Sequence, residues 1–199
     1  MSAKQEQSLP KKKNAFKDTI DSIVVAFVIA MIIRALFIQA FKIPSGSMLE
    51  TLQIGDHLLV NKLSYLFSQP EHDDIIVFEY PLEPDKDYIK RVIGVPGDKI
   101  RIEDKVVYRN GEKLTPDYTQ FISTSVLPAI ASPRDNIEEF TVPEGTFFVM
   151  GDNRDASFDG RFWGLVNEDS IVGRAFIIYW SWGGDGVFNV RFDRILNLL

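Results

Sequence analysis

Hydrophobic patterning changes character once along the chain. Residues 22–33 carry no charge, Arg34 interrupts, and residues 35–41 resume a mostly apolar course. Over 20–41 this run is about 22 residues, roughly 33 Å as a helix, enough to cross a bilayer. From Leu58 onward the apolar positions fall into short runs separated by turn residues, which predicts strands. Residues 74–79 predict a buried strand closed by Pro81 and Pro84. Residues 88–95 predict a second. The turn at Pro96-Gly97-Asp98 leads into Lys99-Ile100-Arg101-Ile102-Glu103, whose alternation predicts a half-buried strand. Residues 106–108 and 112–114 flank Asn110-Gly111, a pair that accepts positive φ and predicts a tight hairpin.

Residues 146–150 and 171–180 predict two more strands, with a polar loop over 151–162. A turn at 183–186 leads to a terminal strand and short helix within 187–199. Residues 115–143 hold Pro116, Pro128, Pro133 and Pro143 and follow no regular period, so they predict a small inserted subdomain. The predicted fold class is mainly β: one N-terminal transmembrane helix followed by a β-rich domain. The expected boundaries are a basic tail over 1–19, a signal anchor over 20–41 and an extracytoplasmic domain over 42–199, with 105–143 as a variable insertion.

Charge refines this picture. The net charge is −6, but residues 1–17 carry Lys4, Lys11, Lys12, Lys13 and Lys17 against Glu6, a net of +4 that leaves −10 on the remainder. An acidic body argues against a nucleic-acid partner. Lysines before an apolar run put the N-terminus in the cytoplasm and the body outside. Arg34 would cost a few kcal/mol at the bilayer centre, but past the middle of the run it can snorkel to the headgroups. A cleaved signal peptide has an apolar core within the same length, with Ile38-Gln39-Ala40 as a weak cleavage site. A buried core helix is a third reading. Continued apolarity through Phe41 favours an uncleaved anchor.

The chain has no cysteine, which excludes disulfides, thiolate catalysis and cysteine-ligated zinc. His57 and His72 are the two histidines; each lies beside acidic residues in a polar stretch and reads as a surface group. A serine nucleophile needs a base. Ser47, in Ile43-Pro44-Ser45-Gly46-Ser47-Met48 directly after the apolar run, is the candidate nucleophile, though Pro-Ser-Gly-Ser is also ordinary turn composition. Lys90 is the candidate base, because burial in an apolar strand lowers a lysine pKa. A lysine that protects a strand edge fits the same pattern equally well.

Together these residues resemble the bacterial type I signal peptidases, membrane-anchored Ser/Lys endopeptidases. Ile43 to Met48 with Thr51-Leu52 is similar to the nucleophile motif. Gly55-Asp56 to Lys62 and Asp74 to Phe78 are similar to the two strand motifs that follow. Lys90-Arg91-Val92-Ile93-Gly94-Val95-Pro96-Gly97-Asp98 is similar to the lysine motif, and Gly151 to Ser157 with Asp159, Arg161 and Trp163-Gly164 to the last. The resemblance covers nearly the whole chain after the tail, in the family's order. It departs at Glu50, where the family usually has proline, and in the short stretch between Arg101 and Val142, which implies a reduced accessory domain.

The resemblance implies that Ser47 is the nucleophile and neutral Lys90 the general base. Ser45 and the Ser47 amide would stabilise the oxyanion, Ser157 would hydrogen-bond the Lys90 amine, and Asp159 with Arg161 would hold the surrounding loop. Arg91 would be structural. Substrates would be exported preproteins with small residues at −1 and −3, met by Ile43, Pro44, Met48, Leu52, Tyr88 and Ile89 at the first pocket and by Phe41, Ile43 and Ile89 at the second. No metal or cofactor is implied, and a monomer is expected. Membrane phospholipid would be a second partner, contacted also by Phe188, Phe192, Ile195 and Leu199. The implied location is the bacterial cytoplasmic (inner) membrane, single-pass, with the catalytic domain on the periplasmic face. Two other classes share features of the chain: a self-cleaving Ser/Lys regulator, which should carry a DNA-binding module, and a non-catalytic membrane-tethered β-domain.

Overall fold

The computed structural model describes residues 15–184 and 189–199, with side chains described at all of these except 15–17 and 33–36. The lysines of the basic tail, the Arg34 side chain and Phe188 lie outside the described residues. The chain falls into two units, residues 1–36 and 37–199. In the first, helix α1 (Ala15–Phe37) begins and runs to the boundary. Its large apolar side chains are exposed, among them Ile20, Ile23, Val24, Phe27, Val28 and Ile32. Among the described residues no helix is long and apolar enough to cross a membrane.

The second unit is built from strands β1 (Ile38–Lys42), β2 (Asp56–Asn61), β3 (Ile75–Tyr80), β4 (Glu83–Gly94), β5 (Lys99–Glu103), β6 (Val106–Arg109), β7 (Glu112–Lys113), β8 (Ile137–Thr141) and β9 (Thr146–Met150). Then come the short helix α2 (Gly160–Trp163) and strands β10 (Val166–Asn167), β11 (Ile171–Ser181) and β12 (Asn197–Leu198). The larger antiparallel sheet has the order β1-β2-β11-β3-β4-β9-β10, with β12 also on β11; the smaller has the order β7-β6-β5-β8.

Three sequence expectations change. The apolar run does not stay helical to residue 41: Ile38 to Lys42 pair with Asn61 to His57 across β1 and β2. Strand hydrogen bonds are supplied there by a partner twenty residues on, which no local pattern reveals. The insertion is not wholly irregular, because β8 pairs with β5 through Lys99–Thr141, Ile100–Phe140 and Ile102–Ile137. The smaller sheet therefore begins at Lys99, before the expected boundary at 105. The polar loop after β9 contains α2, capped by the Asp159 side chain, which accepts from the Arg161 amide.

Burial follows the pattern of alternation. Ile76, Phe78, Val92, Phe147, Val149 and Val166 form one core cluster, and Leu58, Val60, Ile75, Val77, Ala175 and Ile178 contribute to a second. A third, built on Ile93, Ile100, Ile102, Val107 and Phe148, seats the smaller sheet against β4 and β9. Strand β4 thus lies in the middle of the larger sheet, between β3 and β9.

Candidate active site

Residues 43–55 join β1 to β2 and carry both serines of the Pro-Ser-Gly-Ser sequence. The base of this loop is closed by the Ile43 amide donating to Asp56 O (2.8 Å) and the Gly55 amide to Ile43 O (2.9 Å). Ile43, Met48 and Leu52 are 3, 1 and 0% exposed and plug the loop into the core. On its other side Asn153 straps it down: its amide donates to Ser47 O and its Nδ2 to Gly46 O, each at 3.1 Å. With Ile43, Met48 and Leu52 inward and its carbonyls held, the loop presents Ser45 and Ser47 to a cleft of 490 Å³.

Lys90 reaches the same cleft from β4. Its pairing partner on β3 is Ile76, and its neighbour Arg91 pairs with Met150 of β9, so the residue sits in a central strand and the edge-lysine reading fails. Only 4% of Lys90 is exposed. Its Nζ donates to Ser47 Oγ and to Ile89 O, both at 2.9 Å. Burial lowers its pKa to about 8; Asp159 and Asp152 pull upward and Arg161 downward.

Burial prevails because both carboxylates are already neutralised. Asp152 receives Arg91 Nε at 2.8 Å and Nη2 at 2.7 Å, a bidentate pair, as well as the Thr51 hydroxyl. Arg91 also donates to Asp73 O at 2.9 Å and lies 3.8 Å from the centre of the Tyr118 ring. Asp159 receives Arg161 Nε and Nη2 at 2.8 Å each and the Gly151 amide at 2.9 Å. Arg161 in turn donates to the Arg154 and Arg134 carbonyls. Each arginine thus ties separate segments around the cleft together while satisfying a buried carboxylate.

Not every candidate is where the sequence reading put it. Ser157 is buried beside Ser47, but its Oγ makes no hydrogen bond among the described residues, and the Lys90 amine does not reach it. Pro44, Tyr88 and Ile89 line the cleft. Ile43, Met48 and Leu52 do not; they form the core behind it, with Phe41 partly buried against them. His57 contacts Gly55 O and His72 contacts Asp98, neither of them a partner of Ser47. Five cleft residues had received no role: Gly46, Asp87, Asn153, Ala156 and Phe158. Asn153 and Ala156 lie inside the quoted Gly151 to Ser157 motif, which was the available signal. Asp87 precedes Tyr88 with no local pattern to mark it. Glu50, at the motif's departure, accepts from Gln120 Nε2 at 3.1 Å.

The family model for "Signal peptidase, peptidase S26" matches residues 16–180. The chain is 35% identical over 194 residues to a probable signal peptidase I-1 of Synechocystis, an alignment covering 92% of this chain and 94% of that protein. It is 35% identical over 209 residues to a signal peptidase I of Pseudomonas aeruginosa, covering 84% and 74%. Against a signal peptidase IB of Staphylococcus aureus identity is 34% over 176 residues, covering 84% and 91%.

Gly151 offers a direct test of how tightly the loop is built. A Cβ there would lie 2.3 Å from Ser157 Oγ and 2.4 Å from Ser47 O. Gly151→Ala is expected to cost about 1–3 kcal/mol of stability, the range for forcing atoms into a packed interior. Equilibrium denaturation checks it; an unchanged midpoint would mean that the loop yields freely.

Proposed function

The chain belongs to the peptidase S26 family of signal peptidases, and we propose that Ser47 and Lys90 are the residues that cut the peptide bond. The protein is a serine endopeptidase that removes the N-terminal signal peptides of exported preproteins. The observation that carries the assignment of roles is the 2.9 Å separation of Lys90 Nζ from Ser47 Oγ inside a buried setting. In its neutral form the amine accepts the Ser47 proton as the hydroxyl attacks the scissile carbonyl, then gives that proton to the leaving amine. Water releases the acyl-enzyme by the same route.

For the oxyanion, the Ser47 amide is uncommitted among the described residues, and the Ser45 hydroxyl lines the same cleft. Losing one such donor lowers rates by about a hundred- to a thousandfold. Ser157, with an unpartnered Oγ, is the group free to hydrogen-bond the lysine once substrate orders the site. Pro44, Tyr88 and Ile89 bound the substrate pockets, and Ile43, Met48 and Leu52 close them from behind. A floor already filled to core density leaves space for small side chains and clashes with large ones, which supports selection of small −1 and −3 residues.

The regulator reading needs a DNA-binding module; the sequence before the β-domain is a basic tail and an apolar run instead. We assign α1 as the membrane anchor, N-terminus cytoplasmic, with the β-domain on the periplasmic face; the described part of the helix is not long and apolar enough to cross by itself, and the sequence continues its apolar run through Ile33, Ala35 and Leu36. Exposed apolar side chains along α1 and the lysines preceding it support this.

Replacing Ser47 by Ala or Lys90 by Arg is expected to abolish cleavage of an Ala-x-Ala preprotein, since a guanidinium cannot serve as the base. In the native enzyme kcat/KM should rise about tenfold per pH unit below a pKa of about 8 and level off above it, because the neutral fraction of Lys90 grows with pH. A profile flat across that value, or an active Lys90→Arg enzyme, would remove Lys90 from the role of base.

Deleting residues 1–36 leaves β1 and its pairing intact. This variant should lose activity on membrane-held preproteins far more than on soluble peptides and should leave the membrane fraction. Equal losses on both substrates would count against the anchor.

A further inference from the structure

A second pocket, of 480 Å³, lies among β6, β7 and residues 115–126. It shares no lining residue with the Ser47 cleft. Its volume falls in the range of small-molecule sites, about 300–1,000 Å³. What distinguishes it is Arg154, which lines it and is 4% exposed. Among the described residues the Arg154 side chain forms no hydrogen bond or ion pair, and its Nε is fully buried.

Tyr118, Asp159 and Asp152 favour the charged guanidinium only at a distance, and the carboxylates around it have other partners. Asp152 is held by Arg91, Asp159 by Arg161 and Asp155 by Lys105. Burial pushes the Arg154 pKa down, yet a guanidinium stays charged at neutral pH. An unpaired charge in the interior is expensive, and a protein that keeps one is poised for an anion from outside. The walls offer Val107, Leu114 and Phe121 as apolar surface and the Thr119 hydroxyl beside them; the one lining carboxylate, Asp104, is exposed at the rim.

We infer that this pocket binds a small organic anion, its carboxylate paired with the Arg154 guanidinium and its apolar body packed against Val107, Leu114 and Phe121. The fork of the guanidinium suits a carboxylate in two-point contact. The occupant would touch the residue next to Asn153, whose amide and side chain hold the Ser47 and Gly46 carbonyls.

The test uses the full chain in detergent micelles, titrated with benzoate and, as a neutral probe of the same shape, benzamide, with binding read by NMR. Benzoate should bind saturably and more tightly than benzamide. Arg154→Gln should weaken it by at least about tenfold, the loss of roughly one charge-assisted contact. Val126→Trp, which fills the pocket while leaving Arg154 in place, should weaken it likewise. Inorganic phosphate should bind less tightly than benzoate, lacking an apolar body. Absence of saturable benzoate binding, benzamide binding equally well, phosphate binding equally well, or benzoate binding unchanged in both variants would each overturn the proposal. If Arg154→Gln does not fold, Val126→Trp and the benzamide comparison decide it.

Discussion

A lysine amine can act as a base near neutral pH only where water cannot solvate its charge, and the proposed role of Lys90 depends on the fold meeting that requirement. Lys90 meets it by standing in a central strand, with β3 and β9 on either side and Ser47 across the cleft. Moving the same lysine to a sheet edge would return its solvation and its ordinary pKa of 10.5. Two carboxylates close enough to hold the amine protonated would defeat the arrangement. Asp152 and Asp159 are therefore answered by Arg91 and Arg161 rather than left to Lys90.

Those buried pairs contribute rigidity more than stability. Desolvating two ions offsets most of what their attraction returns, although removing one partner costs about 3–5 kcal/mol. Their use here is positional. Arg91 joins β4 to the 151–159 loop and to Thr51 of the 43–55 loop, and Arg161 fastens Asp159 to the carbonyls of Arg134 and Arg154. A similar device anchors the C-terminal segment: Asp56, fully buried at the end of the 43–55 loop, accepts from Arg191, Arg194 and Ser181. For Asp56 burial works to raise the pKa, and these hydrogen bonds more than offset it, so the carboxyl stays below its usual range. Among the described residues Arg154 is the one buried arginine without a carboxylate partner, which is why its pocket stands apart.

Two strands were legible residue by residue: the alternating Lys99–Glu103 and the apolar run Thr146–Met150 have the predicted limits. Ile137–Thr141 was not, because its short alternation lies between Pro133 and Pro143 and its partner β5 is more than thirty residues away. Apolarity alone could not separate helix from strand after Phe37. In the site, Ser47 and Lys90 could be read from motif and resemblance, but the choice between a buried base and an edge lysine needed the pairing of β4 with both neighbours. Ile43, Met48 and Leu52 were placed at the pocket by resemblance alone, and side-chain apolarity does not tell a pocket wall from the core behind it. The unmet Ser157 Oγ and the unpaired Arg154 are properties of three-dimensional surroundings that no spacing encodes.

The proposed chemistry depends on a depressed pKa for one amine. Heteronuclear NMR titration of the Lys90 Nζ, in the full chain with its neighbours intact, tests it most directly. A value of about 8 is predicted. A value at or above 10.5, that of an ordinary solvated lysine, would mean that the amine is protonated at neutral pH and that Ser47 must find another base.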